Sequence, residues 1–175
     1  AIDIRADGAG ELRAHSFHEF LEEKGITLTT SIRDAHQQNG SAERVIRTLT
    51  ESIAVMLYVA NLPSSLWEYA LLFAAHVYNR RAHSALPNGF TPMEALTGVK
   101  PQIKYLRAFG CLAWPKVRTQ GHNKLLPRSG PPGRLIGYHT NRLGTGSNGY
   151  ILYYPQDQSV SVPLRDVLFN EKPIL

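Results

Sequence analysis

The sequence predicts an α/β chain in which a helix-rich first part gives way to a small β module. Three observations carry this. Apolar residues recur at helical spacing from about residue 43 to residue 80. That periodicity ends near Pro101. Beyond it lie short alternating pieces, LRAFGCLAWPKV, RLIGYH, NGYILYYP, QSVSVPL and RDVLF, separated by Gly, Pro and Asn as strands of a small β module are. The 175 residues suit one medium domain or a smaller domain with a module, and 43% apolar content is enough for a core.

Residues 1–6 alternate like a short strand and stop before Asp7, and DGAG follows as a turn. Residues 15–24, HSFHEFLEEK, place Phe17, Phe20 and Leu21 on one helical face, and Gly25 ends that helix. ITLTT is β-branched and reads as a strand. Residues 33–42 are polar, contain Asn39 and Gly40, and read as a loop. The next helix is the clearest element. Ile46, Leu49, Ile53, Met56, Leu57 and Ala60 form one stripe, with Glu43, Arg44, Arg47, Thr50 and Glu51 on the adjoining arc. Glu43 and Arg47 stand about 40° apart, one turn removed.

Leu62 and Pro63 break that helix, and Ser65 with Glu68 has capping-box spacing. SLWEYALLFAAHVYNRR is apolar nearly all round, which predicts a central helix covered on both sides. His76 within it reads as a hydrogen-bonded core histidine rather than a metal ligand. Thr91, Pro92 and Glu94 open a short helix that Gly98 closes. In the β module, Asn148–Gly149 and Gln156–Asp157 read as turns and 128–133, RSGPPG, as a loop. Trp114, Tyr150, Tyr153 and Tyr154 read mostly as core.

The net charge of +5 favours a polyanionic partner. Cys111 is the only cysteine, so an internal disulfide and an all-cysteine zinc site are both excluded. Its apolar context, RAFGCLAW, predicts a buried inert thiol. The apolar runs at 53–60 and 66–78 are interrupted and too short to span a bilayer, and no stretch reads as a signal peptide. The chain opens in a strand without Met, which predicts a fragment or processed product.

Two carboxylates hold chemical interest. Asp7 follows a strand and Glu43 falls in the first turn of a helix. Carboxylates brought together repel, and a divalent cation with a preference for oxygen ligands relieves that repulsion. Acids at strand ends are common, however, and a helix N-terminus favours glutamate for its own sake. The residues alone leave both readings open.

The segments RADGAGEL and HQQNGSAERVIRTL, with thirty-five residues between Asp7 and Glu43, resemble the integrase region of copia-type (Ty1/copia) LTR-retrotransposon Pol polyproteins, in the retroviral integrase superfamily. The likeness continues through LPSSLWEYALLFAAHVYNR, TPMEALTGVKP, YLRAFGCLAW, GRLIGYH, GYILYYP and RDVLFNE, and so covers essentially the whole chain. It implies the C-terminal part of an RNase H-like catalytic core followed by an SH3-like β-barrel module. The implied divisions are a partial core over 1–98, a linker and the start of the module over 99–128, and the module over 129–175. Asp7 would be the second aspartate of a D,D,35-E triad and Glu43 its glutamate. The family's first aspartate and its zinc-binding region would lie upstream. Departures include Gly8-Ala9-Gly10-Glu11-Leu12 after the aspartate, where the family reads Asn-Gly-Gly-Glu-Phe, and His36, where it favours proline.

The resemblance implies Mg²⁺ or Mn²⁺ held by Asp7 and Glu43, 3′-end processing and DNA strand transfer. It also implies double-stranded DNA as partner, homo-oligomers of the full-length parent, and action in the nucleus after passage through a cytoplasmic particle. Gln37, Gln38, Asn39, Arg44 and Arg47 are of types that contact phosphates or base edges. The alternative for the arginines is a solvated helix face with local pairs, Arg47 with Glu51 or Glu43. Without the first aspartate the chain alone is expected to be inactive, and without the preceding strands its fold is expected to be weakened. Two other functional readings are a non-enzymatic DNA-binding remnant of a degenerate or domesticated element, and an RNase H-like nuclease that cleaves without joining.

Overall fold

The structure, a computed structural model, describes residues 2–6, 14–30, 40–116, 129–141 and 146–172. The chain forms two compact units, Ala1–Thr48 and Leu49–Leu175.

The first unit holds a β–α–β sequence. Strand β1 (Ile2–Ala6) and strand β2 (Ile26–Thr30) pair in parallel, from Ile2 opposite Ile26 to Ala6 opposite Thr30. Parallel partners need a crossover, and helix α1 (His15–Glu23) provides it. Gly25, at φ +63°, takes the left-handed turn that returns the chain to β2. On α1 the buried residue is Leu21, while Phe20 is 51% exposed with Lys24 Nζ 5.9 Å from its ring centre. The three-residue apolar face expected there narrows to Leu21 and the half-buried Phe17.

Helix α2 (Gly40–Val59) runs across the division between the units. Its stripe is buried only towards the C-terminus, at Leu57 and Ala60, whereas Ile46 is 63% exposed. A 3-10 turn (Ser64–Leu66) leads into helix α3 (Trp67–Tyr78). Helix α3 starts without the expected cap from Ser65, because Ser65 lies inside the 3-10 turn and Leu66 takes the cap position. A second 3-10 turn (Pro87–Gly89) precedes helix α4 (Pro92–Thr97), which is built as expected. Thr91 Oγ1 accepts from the Glu94 N–H at 3.1 Å, and Gly98 closes the helix at φ +68°.

Strands β3 (Leu112–Pro115), β4 (Gly133–Thr140), β5 (Ser147–Tyr154), β6 (Ser159–Val160) and β7 (Val167–Asn170) form an antiparallel sheet in the order β6-β5-β4-β3-β7. The chain is therefore a mixed α/β molecule with a five-stranded antiparallel sheet. Asn148–Gly149 is not a turn: both residues belong to β5, where pairing with β4 outweighs the local turn preference. The turn near Gln156–Asp157 is present, with Gln158 at φ +56°.

Helix α3 lies against this sheet through Ala70 and Phe73, and Ala74 is buried as well. Leu135 and Ile136 are consecutive and both fully buried, one in each of two core clusters, beside a register shift in β4. Ile136 and Tyr153 pack with Leu57, Leu66 and Ala70, while Leu135 and Leu152 pack with Phe73, Cys111 and Ala113. Helix α4 closes at Gly98, and the strands of the sheet begin at Leu112. The expectation that α3 is covered on both sides is corrected for the described residues. One side meets the sheet, and Trp67 and Leu72 remain 56% and 63% exposed.

Candidate functional site

Glu43 is the acidic residue in the first turn of α2. The free N–H groups and helix dipole there favour a negative charge. Its side chain is exposed, as are those of Arg44 and Arg47. Arg44 Nε donates to the Gly40 carbonyl at 3.1 Å, tying its guanidinium back to the start of the helix. Thr48 Oγ1 donates to the Arg44 carbonyl at 2.9 Å.

Among the described residues the ion pair is Lys24–Glu23, and His15 Nδ1 lies 3.2 Å from Glu19 Oε1, an ion pair only when the imidazole is protonated. Glu43, Arg47 and Glu51 take part in neither, so the local pairing weighed for Arg47 is not formed there. Asp7, Gln37, Gln38 and Asn39 lie outside the described residues. Glu43, Arg44 and Arg47 share the first half of α2. No group of three or more His, Cys, Asp or Glu able to hold a metal occurs among the described residues. Glu43 itself presents an exposed carboxylate at this end of the helix.

A second cluster, in the Leu49–Leu175 unit, was only partly visible in the sequence. His76 Nε2 and the Tyr105 hydroxyl are hydrogen-bonded at 2.8 Å, and the His76 ring stacks on Tyr138 at 4.7 Å. The Tyr138 hydroxyl accepts from the Arg107 N–H and donates to the Arg107 carbonyl, both at 2.9 Å. Arg80, buried just beyond α3, donates from Nη1 to the His76 carbonyl at 2.8 Å, where the helix C-terminus favours a cation. Burial, with the Arg80 charge second, pushes the His76 imidazole down to about 4. Burial raises Tyr105 above the ordinary phenol range.

His76 is therefore neutral at pH 7 and pins the segment around Tyr105 to α3. The helical pattern singled out His76, but its partners are 29 residues away at Tyr105 and much further along at Tyr138. Beside the cluster, Tyr69, Phe73, His76, Gly137 and Tyr138 help line a cleft of about 70 Å³. That is well below the ~300 Å³ at which small-molecule sites begin. Cys111 is buried, and burial raises its thiol to about 11, as an inert core cysteine requires. Of the four aromatics expected in the core, Tyr153 is buried and Trp114, Tyr150 and Tyr154 are half-buried.

Comparison with known proteins places these observations. The Retrovirus-related Pol polyprotein from transposon TNT 1-94 of Nicotiana tabacum is 33% identical over 172 residues, 98% of this chain and 12% of the relative. The Pol polyprotein from transposon RE1 of Arabidopsis thaliana is 32% identical over 71% of this chain and 8% of its own length. The Transposon Ty1-LR3 Gag-Pol polyprotein of Saccharomyces cerevisiae is 32% identical over 87% of this chain and 8% of its own length. The chain thus spans between 8% and 12% of these relatives. No family model matches it. Among solved structures, a simian T-cell lymphotropic virus intasome in complex with the PP2A regulatory subunit B56 gamma aligns at TM-score 0.46 and 16% identity, over 98% of this chain and 59% of the other. That likeness is too distant to carry a functional reading. No described helix is long and apolar enough to cross a membrane.

Proposed function

The chain belongs, as a short segment, to the Pol polyproteins of copia-type retrotransposons, and from that premise we propose that it is part of their integrase. The observation that carries the proposal is the match to a Pol polyprotein along 98% of the chain, with Glu43 standing exposed in the first turn of α2. In this reading Asp7 and Glu43 belong to one polynucleotidyl-transfer centre on an RNase H-like core. The β strands from Leu112 onward belong to an SH3-like module.

Asp7 and Glu43 would hold Mg²⁺ or Mn²⁺ together with a third carboxylate from the longer Pol product. The bound ions would neutralise charge at the phosphodiester and activate the attacking oxygen, first of water and then of the freed 3′-hydroxyl. The remaining tasks fall to the protein. Glu43 brings a carboxylate to the mouth of a helix whose free N–H groups favour anions. Arg47, with no ion-pair partner among the described residues, offers a planar donor fork to a backbone phosphate. Arg44 serves beside it. Gln37, Gln38 and Asn39 offer amide donors and acceptors to phosphates or base edges. Holding the attacking hydroxyl and the target phosphate in line contributes as much as the chemistry of the groups. Two element ends must be held at once, which calls for oligomers of the full-length protein on DNA, acting in the nucleus.

The test uses the longer Pol product containing this segment, labelled element-end DNA, and Mg²⁺ or Mn²⁺. Joined product is expected from the wild type. Asp7→Asn and Glu43→Gln should each reduce it by ~100-fold or more, the order of losing one stabilising group at a transition state. Undiminished joining in Glu43→Gln would overturn the assignment. The 175-residue chain alone is expected to bind end-DNA without joining it. Cleavage without joining by the longer product would favour a hydrolytic nuclease instead.

A further inference from the structure

Charge is unevenly spread along this chain. Residues 69–156 contain eleven Lys and Arg and a single acid, Glu94, although the whole chain carries 14 acids. Within that basic stretch, Leu96 is 84% exposed, Val99 51% and Ile103 57%, and Lys100 and Lys104 between and beside them are exposed as well. Three aliphatic side chains held in water within eight residues of chain are costly at about 25 cal/mol per Å² of apolar surface.

The segment is also held in shape. Gly98 turns it at φ +68° and its N–H donates to the Glu94 carbonyl at 2.8 Å. Thr97 Oγ1 donates to the Met93 carbonyl at 2.7 Å and accepts from the Val99 N–H at 3.2 Å. Pro101 is buried between the two exposed aliphatics. Arg107 Nη1 donates to the Lys104 carbonyl at 2.9 Å, and the Leu106 N–H donates to the Ile103 carbonyl at 3.0 Å. A preformed surface loses less conformational entropy when a partner covers it.

We infer that residues 96–104 form a docking surface for a protein segment combining acidic and aliphatic side chains. The lysines supply charge complementarity and Leu96, Val99 and Ile103 the apolar contact. A DNA backbone would satisfy Lys100 and Lys104 but would leave the three aliphatics in water, so the apolar half of the surface decides for protein. The surface uses neither Asp7, Glu43 nor Arg47, and it stands or falls separately from the proposed chemistry.

The experiment titrates the 175-residue chain against a short fluorescein-labelled peptide in which Glu alternates with Leu and Phe. A Gln-for-Glu counterpart and a labelled DNA duplex serve as comparators. The acidic peptide should bind by fluorescence anisotropy, more weakly as salt rises. Leu96→Ser should weaken it ~10-fold or more, the order of losing a good apolar contact at an interface. Lys100→Glu with Lys104→Glu should do the same and should gain affinity for a peptide alternating Lys with Leu and Phe. Thermal melting of each variant checks that the exposed substitutions leave the fold intact. No binding of the acidic peptide, binding indifferent to Leu96→Ser, or equal binding of the Gln counterpart would each overturn the inference. So would DNA binding that depends on Lys100 and Lys104 while the peptide leaves both untouched.

Discussion

Replacing Gly110 with alanine tests whether the helices and the sheet of the Leu49–Leu175 unit are one packed body. Gly110 sits at φ +73°, and a Cβ there would land on the Ala60 methyl, with the Ala60 Cα 3.3 Å and Leu62 Cδ1 3.6 Å away. The backbone has little freedom to withdraw. The Gly110 N–H donates to the Leu135 carbonyl at 2.7 Å, and the Gly110 carbonyl accepts from Arg134 Nη1 at 2.9 Å. The left-handed conformation costs an L-residue ~1–2 kcal/mol. Forcing a methyl group into a filled contact costs a further ~1–3 kcal/mol. Together these make ~2–5 kcal/mol, a large share of the ~5–15 kcal/mol that holds a typical domain folded. At ~2–4 °C per kcal/mol for a chain of this size, Tm should fall by ~5–20 °C.

Both tryptophans, Trp67 and Trp114, lie in this unit, so urea or thermal unfolding followed by tryptophan fluorescence reports on it directly. Ala60→Gly combined with Gly110→Ala removes the clash but keeps the cost of positive φ. The double variant should therefore recover ~1–3 kcal/mol relative to the sum of the single effects. A Gly110→Ala protein within 0.5 kcal/mol of wild type, or strict additivity in the cycle, would refute the close approach of Gly110 to the segment just after α2 (0.5 kcal/mol being the ordinary scatter of a harmless surface change).

Three further outcomes follow from the second unit. Tyr138→Phe strands the Arg107 N–H and carbonyl that the hydroxyl serves, and should cost ~1–3 kcal/mol in urea unfolding. His76 is held at about 4, below its ordinary value of 6.5, so between those pH values the unfolded chain binds a proton that the folded chain excludes. Its contribution to stability is complete above pH 6.5 and is lost as pH falls to 4. Because the ring is half-buried, solvent screening limits the effect to ~1–2 kcal/mol, and His76→Phe should flatten the urea midpoint across that window by this amount. The Cys111 thiol, raised to about 11, is thiolate in only about one molecule in ten thousand at pH 7, so reaction with a disulfide reagent should be negligible in buffer and rapid in urea.

What was legible in the sequence was what local chemistry determines. Thr91, Pro92, Glu94 and Gly98 specify α4 by capping alone, and the structure forms those bonds. Cys111 announced its burial through its apolar neighbours. Local signals failed where a distant partner outweighed them. Asn148 and Gly149 have turn chemistry, but β4 recruits them into β5, and the Leu164 carbonyl lies 3.1 Å from where a Gly149 Cβ would stand. Ile46 matches the α2 stripe in phase yet is 63% exposed, whereas Leu57 is buried with residues of α3 and the sheet. The same distinction governs the sites. The place of Glu43 in the first turn of α2 was legible because local sequence sets it. The bond between His76 and Tyr105 was not, because no periodicity joins a helix to a segment 29 residues away.

We propose that Glu43 and Asp7 serve one divalent ion. Paramagnetic Mn²⁺, titrated into the ¹⁵N-labelled 175-residue chain, reports on it most directly by broadening amide signals close to the bound ion. The signals of residues 7–8 and 42–44 are expected to broaden together over the same range of Mn²⁺ concentration. Either Asp7→Asn or Glu43→Gln should abolish both effects, and excess Mg²⁺ should reverse them. Broadening at Glu43 that survives Asp7→Asn unchanged, or no broadening at either carboxylate, would contradict it.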